Sequence, residues 1–224
     1  MKVVLFGATG MVGQGALLEC LRSPDVEAVL CVVRRPTGRH HEKLREVVQA
    51  DVSDLSAIGE ELSGADACLY CLGVSSVGMT EADYRRITYD TTIAVARALL
   101  ERSPGLTFVF VSGAGTDGTG RGRVMWARVK GETENALLGM PFKAAYMVRP
   151  GYIQPRDGIQ ASGRAIRVLY ALFGPLYPVW RRLFPRHVTT TRRLGRAMIR
   201  AARHGAPKPV LEVEDINALA PGPD

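Results

Sequence analysis

Cysteine is scarce in this chain and poorly placed for crosslinking. Four cysteines occur among 224 residues, Cys20, Cys31, Cys68 and Cys71, and all lie in apolar helix or strand contexts. Free cysteine in such surroundings behaves as a small core residue, so a disulfide framework is not expected. Cys68 and Cys71 have C-x-x-C spacing, but residues three apart on an extended strand point to opposite faces, which suits neither a bridge nor a metal pair without a turn. There is no second cysteine pair, and His40-His41 are distant in sequence, so no metal is expected. No run of about 18 apolar residues is present to cross a bilayer. The N-terminal apolar stretch is not followed by an A-x-A-like cleavage site, which makes the cytoplasm the expected location. Internal repeats and low-complexity segments are also missing.

What the chain does have stands at its N-terminus. Val3-Val4-Leu5-Phe6-Gly7-Ala8-Thr9-Gly10-Met11-Val12-Gly13 runs an apolar strand pattern into three glycines three apart, with helix-forming Ala16-Leu17-Leu18-Glu19 beyond. Glycine permits positive φ and close backbone approach to a ligand. Gly7 and Gly10 are expected to make the turn and Gly13 to let helix and strand pack closely. The N–H groups and positive dipole end of the helix opening near Gly10 then suit a diphosphate. Gly7, Thr9, Gly10, Met11, Val12 and Gly13 are the candidate dinucleotide loop.

A second strand, Ala28-Val29-Leu30-Cys31-Val32-Val33, ends in Arg34-Arg35 about 20 residues beyond the loop, where an acidic residue usually binds a ribose hydroxyl. As a fork, the two guanidiniums suit a 2′-phosphate, which makes NADP(H) the expected cofactor in preference to NAD(H), with Arg39 as a third contact. As a solvated basic turn around Pro36-Thr37-Gly38 they would bind nothing.

The length suits one domain with a sizeable core. Strand patterns at 47–52, 67–71, 108–111 and 145–148, with a seventh near 210–212, alternate with helical patterns at 80–102 and 123–138, which argues for a parallel sheet covered on both faces. The expected fold is α/β: a Rossmann-type doubly wound parallel sheet with a small C-terminal helical cap. Residues 1–224 form one domain, with 154–205 as substrate cap or interaction segment and a loose tail from Ala218. Within that segment, the pattern at 188–200 predicts a capped amphipathic helix with Leu194, Met198 and Ala201 inward.

The Gly-x-x-Gly-x-x-Gly spacing, the Lys130 of Trp126-Ala127-Arg128-Val129-Lys130-Gly131-Glu132 and the Arg-Pro-Gly of Val148-Arg149-Pro150-Gly151-Tyr152-Ile153 resemble atypical and extended members of the short-chain dehydrogenase/reductase superfamily, including NmrA-like and Tat-interacting-protein-like groups. The resemblance covers roughly Met1 to Ile153 in motifs and the rest in outline. It implies that Asp51, ending a third strand read as Val47–Val52, hydrogen-bonds the adenine amino group. It also implies that Cys71-Leu72-Gly73 packs under adenine and ribose, that Ser112 is the hydroxyl delivered by the fifth strand, and that Lys130 holds the nicotinamide ribose. Pro150, Gly151 and Ile153 would border the nicotinamide and substrate.

The chain departs from that pattern at the acid–base residue. In Tyr-x-x-x-Lys the phenol exchanges a proton, helped by the neighbouring ammonium. Trp126 occupies that slot, and indole N–H only donates. Ser112, Thr116, Tyr84, Tyr89 and Tyr152 are alternative proton groups, and Thr88 stands where the superfamily often has Asn. Two functions follow: an NADP(H)-dependent oxidoreductase or epimerase-like enzyme on a small apolar substrate, or a catalytically weak NADP(H)-sensing regulatory protein.

Charge is uneven, with 17 Lys or Arg against 3 Asp or Glu in residues 121–204. The segment 163–187 mixes aromatics, aliphatics and arginine. It can serve as an ordinary structural cap or lid, as a homo-oligomer contact, or as a peripheral contact with an anionic membrane. A sequence pI near 9.5 permits phosphate attraction, yet no helix-turn-helix, zinc or RNA-recognition signature is visible, so nucleic acid is not the expected partner.

Overall fold

A computed structural model describes residues 1–160, 174, 177–220 and 222. The chain runs β1 (Lys2–Phe6), α1 (Met11–Arg22), β2 (Ala28–Val33), β3 (Leu44–Val48), β4 (Ala67–Tyr70), α2 (Glu81–Arg85), α3 (Thr91–Arg102), β5 (Thr107–Val111), α4 (Met125–Leu138) and β6 (Ala144–Val148). It continues through β7 (Tyr152–Gln154), α5 (Tyr177–Leu183), β8 (Val188–Thr190), α6 (Thr191–His204), β9 (Val210–Leu211) and α7 (Val213–Leu219). Seven strands form one sheet in the order β3-β2-β1-β4-β5-β6-β9, and every pairing is parallel. The order reverses between β1 and β4, and ligands of open parallel sheets bind at such a point, outside the carboxyl ends of the strands.

The strand sequences explain the double covering. All residues of β4 and β5 are buried, as expected of parallel strands with helices on both faces. Successive side chains alternate between two cores. Val3, Leu5, Leu69 and Val109 pack with Leu17 of α1 and Leu194 and Met198 of α6. Val4, Phe6, Cys68, Tyr70, Phe108 and Phe110 pack with Leu99 of α3 and Leu137 of α4.

The predicted helix with Leu194, Met198 and Ala201 inward is α6, capped by the Thr190 side chain accepting from the Arg193 amide at 3.1 Å. It is no part of a cap, which corrects the assignment of 154–205. A Cβ on Gly195 would lie 3.0 Å from the Gly15 carbonyl oxygen, and one on Gly15 would lie 2.7 Å from the Thr191 Cβ, so α6 lies hard against α1 in the layer on the sheet. Three other expectations shift. β3 ends at Val48 and leaves Asp51 beyond it, because β2 stops pairing at Val33 before Arg34-Arg35-Pro36. The helix expected over 80–102 is α2, a π-helical turn Arg86–Asp90, and α3. Ala218 and Leu219 are still helical. Most of 163–187 lies outside the described residues; no helix among the described residues is long and apolar enough to cross a membrane.

An ionic cluster around buried Glu19 ties α6 to α1. Glu19 accepts from Arg22 at 2.9 Å and Arg196 at 2.8 Å, while Asp157, at φ 56°, accepts from Arg22 at 3.0 Å and Arg192 at 2.6 Å. These hydrogen bonds from Arg22 and Arg192 hold the Asp157 carboxyl down at about 2. Asp157→Asn is expected to lower stability by about 1–2 kcal/mol at pH 7, allowing for partial solvent screening. Because the folded value lies below the ordinary 3.8, the contribution is complete above that pH and is lost as pH falls through about 2. Denaturant melts of wild type and variant should therefore converge near that lower limit, and a constant gap would refute the assignment.

Candidate active site

The site grows from the exits of β1, β4, β5 and β6, which share one edge of the sheet. Gly7 follows β1 with φ 82°, and its carbonyl accepts from the Gly10 amide at 3.0 Å. Gly10 is an extended N-cap with φ −77°, so of the two only Gly7 needs left-handed backbone. A Cβ on Gly7 would lie 2.7 Å from the Cys71 carbonyl carbon, and one on Gly13 would lie 1.9 Å from the Gly7 carbonyl oxygen. The helix therefore begins in backbone contact with the β1 exit. Met11, Val12 and Gly13 supply first-turn amides that a helix leaves without internal acceptors. No acidic residue occupies that turn and no side chain caps it, so this bare cradle fits a diphosphate.

The side of the site expected to face adenine is set by β2, β3 and the β4 exit. Glu46 of β3 accepts from the Thr37 amide at 3.1 Å and hydroxyl at 2.5 Å, which fixes the turn carrying Arg34 and Arg35. Both arginines are exposed, and neither guanidinium has an ionic or hydrogen-bond partner among the described residues. Asp51 is exposed; its Oδ1 accepts from the Ser53 amide at 2.9 Å and hydroxyl at 2.6 Å, which holds its carboxyl below the usual range. Val52 is half-buried beside it. The Cys71 amide donates to the Phe6 carbonyl at 3.0 Å and so brings Cys71-Leu72-Gly73 next to the glycine loop.

The β5 and β6 exits carry a chain of charges that runs from buried Glu134 to half-exposed Glu212. Lys130, one turn beyond Trp126 on α4, donates from Nζ to the Ser112 carbonyl at 2.5 Å. Burial pulls its ammonium down to about 8, against the opposing pull of Glu134. The Ser112 hydroxyl does not face the crevice: it donates to Glu134 Oε1 at 2.5 Å and lies 3.3 Å from the Val148 carbonyl. Glu134, only 1% exposed, also takes a two-armed contact from Arg149, at 3.0 Å from Nε and 2.5 Å from Nη2. Arg149 Nη1 reaches on to Glu212 at 3.2 Å. Glu134 and Arg149 were not among the candidate residues; the clue was an arginine immediately before Pro150 at the end of a buried strand.

The remaining candidates are placed as follows. The indole of Trp126 lies 3.9 and 3.8 Å from where a Cβ would stand on Gly113 and Gly115. The Pro150 carbonyl accepts from the Ala114 amide at 2.9 Å, a Cβ on Gly151 would lie 2.5 Å from the His187 carbonyl oxygen, and Ile153 is buried. Thr116 donates to the Gly113 carbonyl at 2.7 Å and Tyr152 to Gln154 at 2.8 Å, so both hydroxyls have internal partners. Tyr84 is buried, and Tyr89 stacks under the Arg85 guanidinium at 4.2 Å. The Thr88 hydroxyl is buried on the π-helical turn, one turn from Tyr84.

This geometry is that of a Rossmann-type dinucleotide-binding fold. Residues 3–130 match the NAD dependent epimerase/dehydratase family, and the chain belongs to it, an extended-type branch of the short-chain dehydrogenase/reductases whose cofactor is a nicotinamide dinucleotide. Protein fmp52-2, mitochondrial, of Aspergillus terreus is 28% identical over 205 residues, covering 89% of this chain and 85% of its own. Protein fmp-52, mitochondrial, of Neurospora crassa is 28% identical over 183 residues, 76% of this chain and 72% of its own. These mitochondrial relatives overturn the cytoplasmic expectation. Among solved structures, the Bordetella bronchiseptica enzyme WbmF in complex with NAD+ superposes with a TM-score of 0.68 at 14% identity over 98% of this chain and 76% of that one. UDP-glucose 4-epimerase of Thermotoga maritima gives 0.62 at 12% identity over 90% and 73%.

The cradle predicts a contrast between glycines. Gly13→Ala drives a methyl into a backbone carbonyl and should cost at least about 2 kcal/mol and abolish dinucleotide binding. Gly73→Ala meets nothing within 4 Å and should leave stability unchanged. Thermal melts with calorimetric titration check both, and a tolerated Gly13→Ala would refute the close approach.

Proposed function

We propose that the protein is an NADP(H)-dependent oxidoreductase or epimerase-like enzyme acting on a small apolar substrate, with Lys130 as its proton-exchanging group. The observation that carries this reading is the Lys130 ammonium, held by the Ser112 carbonyl at 2.5 Å one helical turn from Trp126, whose indole cannot exchange a proton. A nicotinamide dinucleotide supplies hydride chemistry when bound. The chain contributes the bare helix start for the diphosphate, Arg34 and Arg35 for a 2′-phosphate, and an ammonium whose proton leaves near pH 8. A general acid or base works best with a pKa near the working pH, which an ordinary lysine lacks. Ser112 serves as an anchor, since its hydroxyl is taken by Glu134. Exposed Val74, Val77 and Val124, on the loops leaving β4 and β5, support an apolar substrate. Exposed Val179, Leu183 and Phe184 among Arg181, Arg182 and Arg186 support an interaction face on α5 and the residues after it.

The second reading is an NADP(H) sensor with little chemistry, favoured by Trp126 and by the occupied Ser112 hydroxyl. Parallel titration with NADPH and NADH, followed by tryptophan quenching and calorimetry, comes first. Replacing Arg34 and Arg35 together by alanine should weaken NADPH binding about 10–100-fold and NADH binding little, since each charge-assisted hydrogen bond is worth about 1.5–3 kcal/mol; equal losses would sink the phosphate role. NADPH oxidation with any member of a carbonyl and enone panel, lost in Lys130→Met, supports the enzyme. Tight NADPH binding with no turnover across the panel, and none gained in Trp126→Tyr, supports the sensor.

A further inference from the structure

We infer that Glu134 is a positioning residue for Lys130, fixing the ammonium both through the Ser112 peptide and through its own charge. The inference rests on the reading of Lys130 as the working ammonium. Glu134 stands one helical turn beyond Lys130, so the two side chains share a face of α4. The carbonyl that receives the Lys130 ammonium belongs to the same residue whose hydroxyl is pinned to Glu134 at 2.5 Å. Glu134 therefore sets where that peptide stands at the β5 exit, and Lys130 follows it. Arg149 locks the carboxylate from the β6 exit, and Glu212, whose backbone amide is closed by the Asp215 side chain at 2.8 Å, locks Arg149 from the start of α7. Two elements other than its own helix thus converge on one carboxylate that is 1% exposed, and a third holds Arg149 from behind.

A buried carboxylate is costly unless it is paired and hydrogen-bonded, and here one arginine and one hydroxyl meet that need. Arg149 alone would balance Glu134 and leave Lys130 an uncompensated buried cation, were it not for Glu212 on the far side of Arg149. The charge acting on Lys130 is Glu134 from its own helix, with the Ser112 carbonyl as hydrogen-bond acceptor; Arg149 and Glu212 continue the series from the β6 exit and the start of α7, and Tyr84 and Thr88 are buried on α2 and the π-helical turn, which pack on α4. The pairs Arg85 with Glu132 and Arg128 with Glu81 join α4 to α2 through partly exposed side chains and leave the balance at Lys130 to Glu134.

The test reads the ammonium directly in the protein without ligand. The chain has five lysines, Lys2, Lys43, Lys130, Lys143 and Lys208, so 13C,15N-lysine labelling gives few signals, and Lys130→Arg assigns the one titrating near pH 8. Glu134→Gln keeps the shape and removes the charge, and it should move that midpoint down by about 1 pH unit. A merely structural role would loosen the site, admit water and move the midpoint up; an upward shift or none overturns the inference. Ser112→Ala, which keeps the Glu134 and Arg149 pair, decides the matter if Glu134→Gln does not fold. The held Lys130 ammonium should give a slowly exchanging 15Nζ signal near pH 6.5 in wild type that is lost in Ser112→Ala. A signal that persists unchanged there overturns the link through the peptide. NADPH affinity is measured separately: failure of the wild type to bind it counts against the cofactor reading and leaves the lysine titration standing.

Discussion

Backbone pressed against backbone is the constraint from which the site follows. The Gly7 carbonyl occupies the space a Cβ on residue 13 would need, at 1.9 Å, so α1 can start only where it does. The same device recurs at the other exits. A Cβ on Gly131 of α4 would lie 1.8 Å from the Asp117 carbonyl oxygen, and one on Gly151 would lie 2.5 Å from that of His187. Each places a helix or turn directly on a loop leaving the sheet, with no side chain between them. The crevice is thereby lined by amides and carbonyls at its diphosphate end, and what charge it has must come from a few side chains reaching in from the helices.

Those side chains are arranged as an alternating series: Lys130, Glu134, Arg149, Glu212. Each buried member has an opposite neighbour, which is the condition under which burial of charge is tolerated. Much of the basic excess in residues 121–204 is consumed in this way. Arg149 serves the site, Arg192 and Arg196 clamp α6 to Glu19 and Asp157, and Arg128 binds Glu81 and the Gly122 carbonyl. Read as sequence, that run of arginines suggests a charged surface; in the fold, several are internal fasteners.

The glycine spacing and the apolar strand runs made the sheet and the diphosphate cradle legible, because both depend on local backbone and periodicity. What escaped depended on pairing between distant segments. Val47-Val48-Gln49-Ala50-Asp51-Val52 has no internal stop, and β3 ends only because its partner β2 does, ahead of Pro36. The π-helical turn leaves the buried Tyr84, Thr88 and Thr92 at intervals that an unbroken helix would share, so composition cannot reveal it. Glu134 sits in Gly131-Glu132-Thr133-Glu134-Asn135, a stretch that reads as a solvated face until Arg149 and Ser112 are brought against it. Gly195 was the local clue that α6 belongs to the sheet layer, since a helical glycine between Leu194 and Ala197 weakens a helix unless close packing needs it.

Trp126 shows how far the departure from tyrosine has been absorbed. The ring rim reaches contact distance of the Cβ positions of Gly113 and Gly115, and Gly115 has φ 85°, which an L side chain rarely adopts. The loop after β5 is thus shaped around the indole, and no hydroxyl can be presented from those two positions. Ser112, next before them, faces Glu134, and Thr116, just beyond them, is bonded back to Gly113. Loop, ring and serine form one fitted unit in which neither Ser112 nor Thr116 has a free hydroxyl to stand in for the phenol. Lys130 is also the one group there whose environment draws its proton loss toward neutral pH. The indole and the altered lysine thus belong to one arrangement: where an indole stands in place of the phenol, the neighbouring lysine is the group that burial brings toward neutral pH, which is what the proposed role of Lys130 requires.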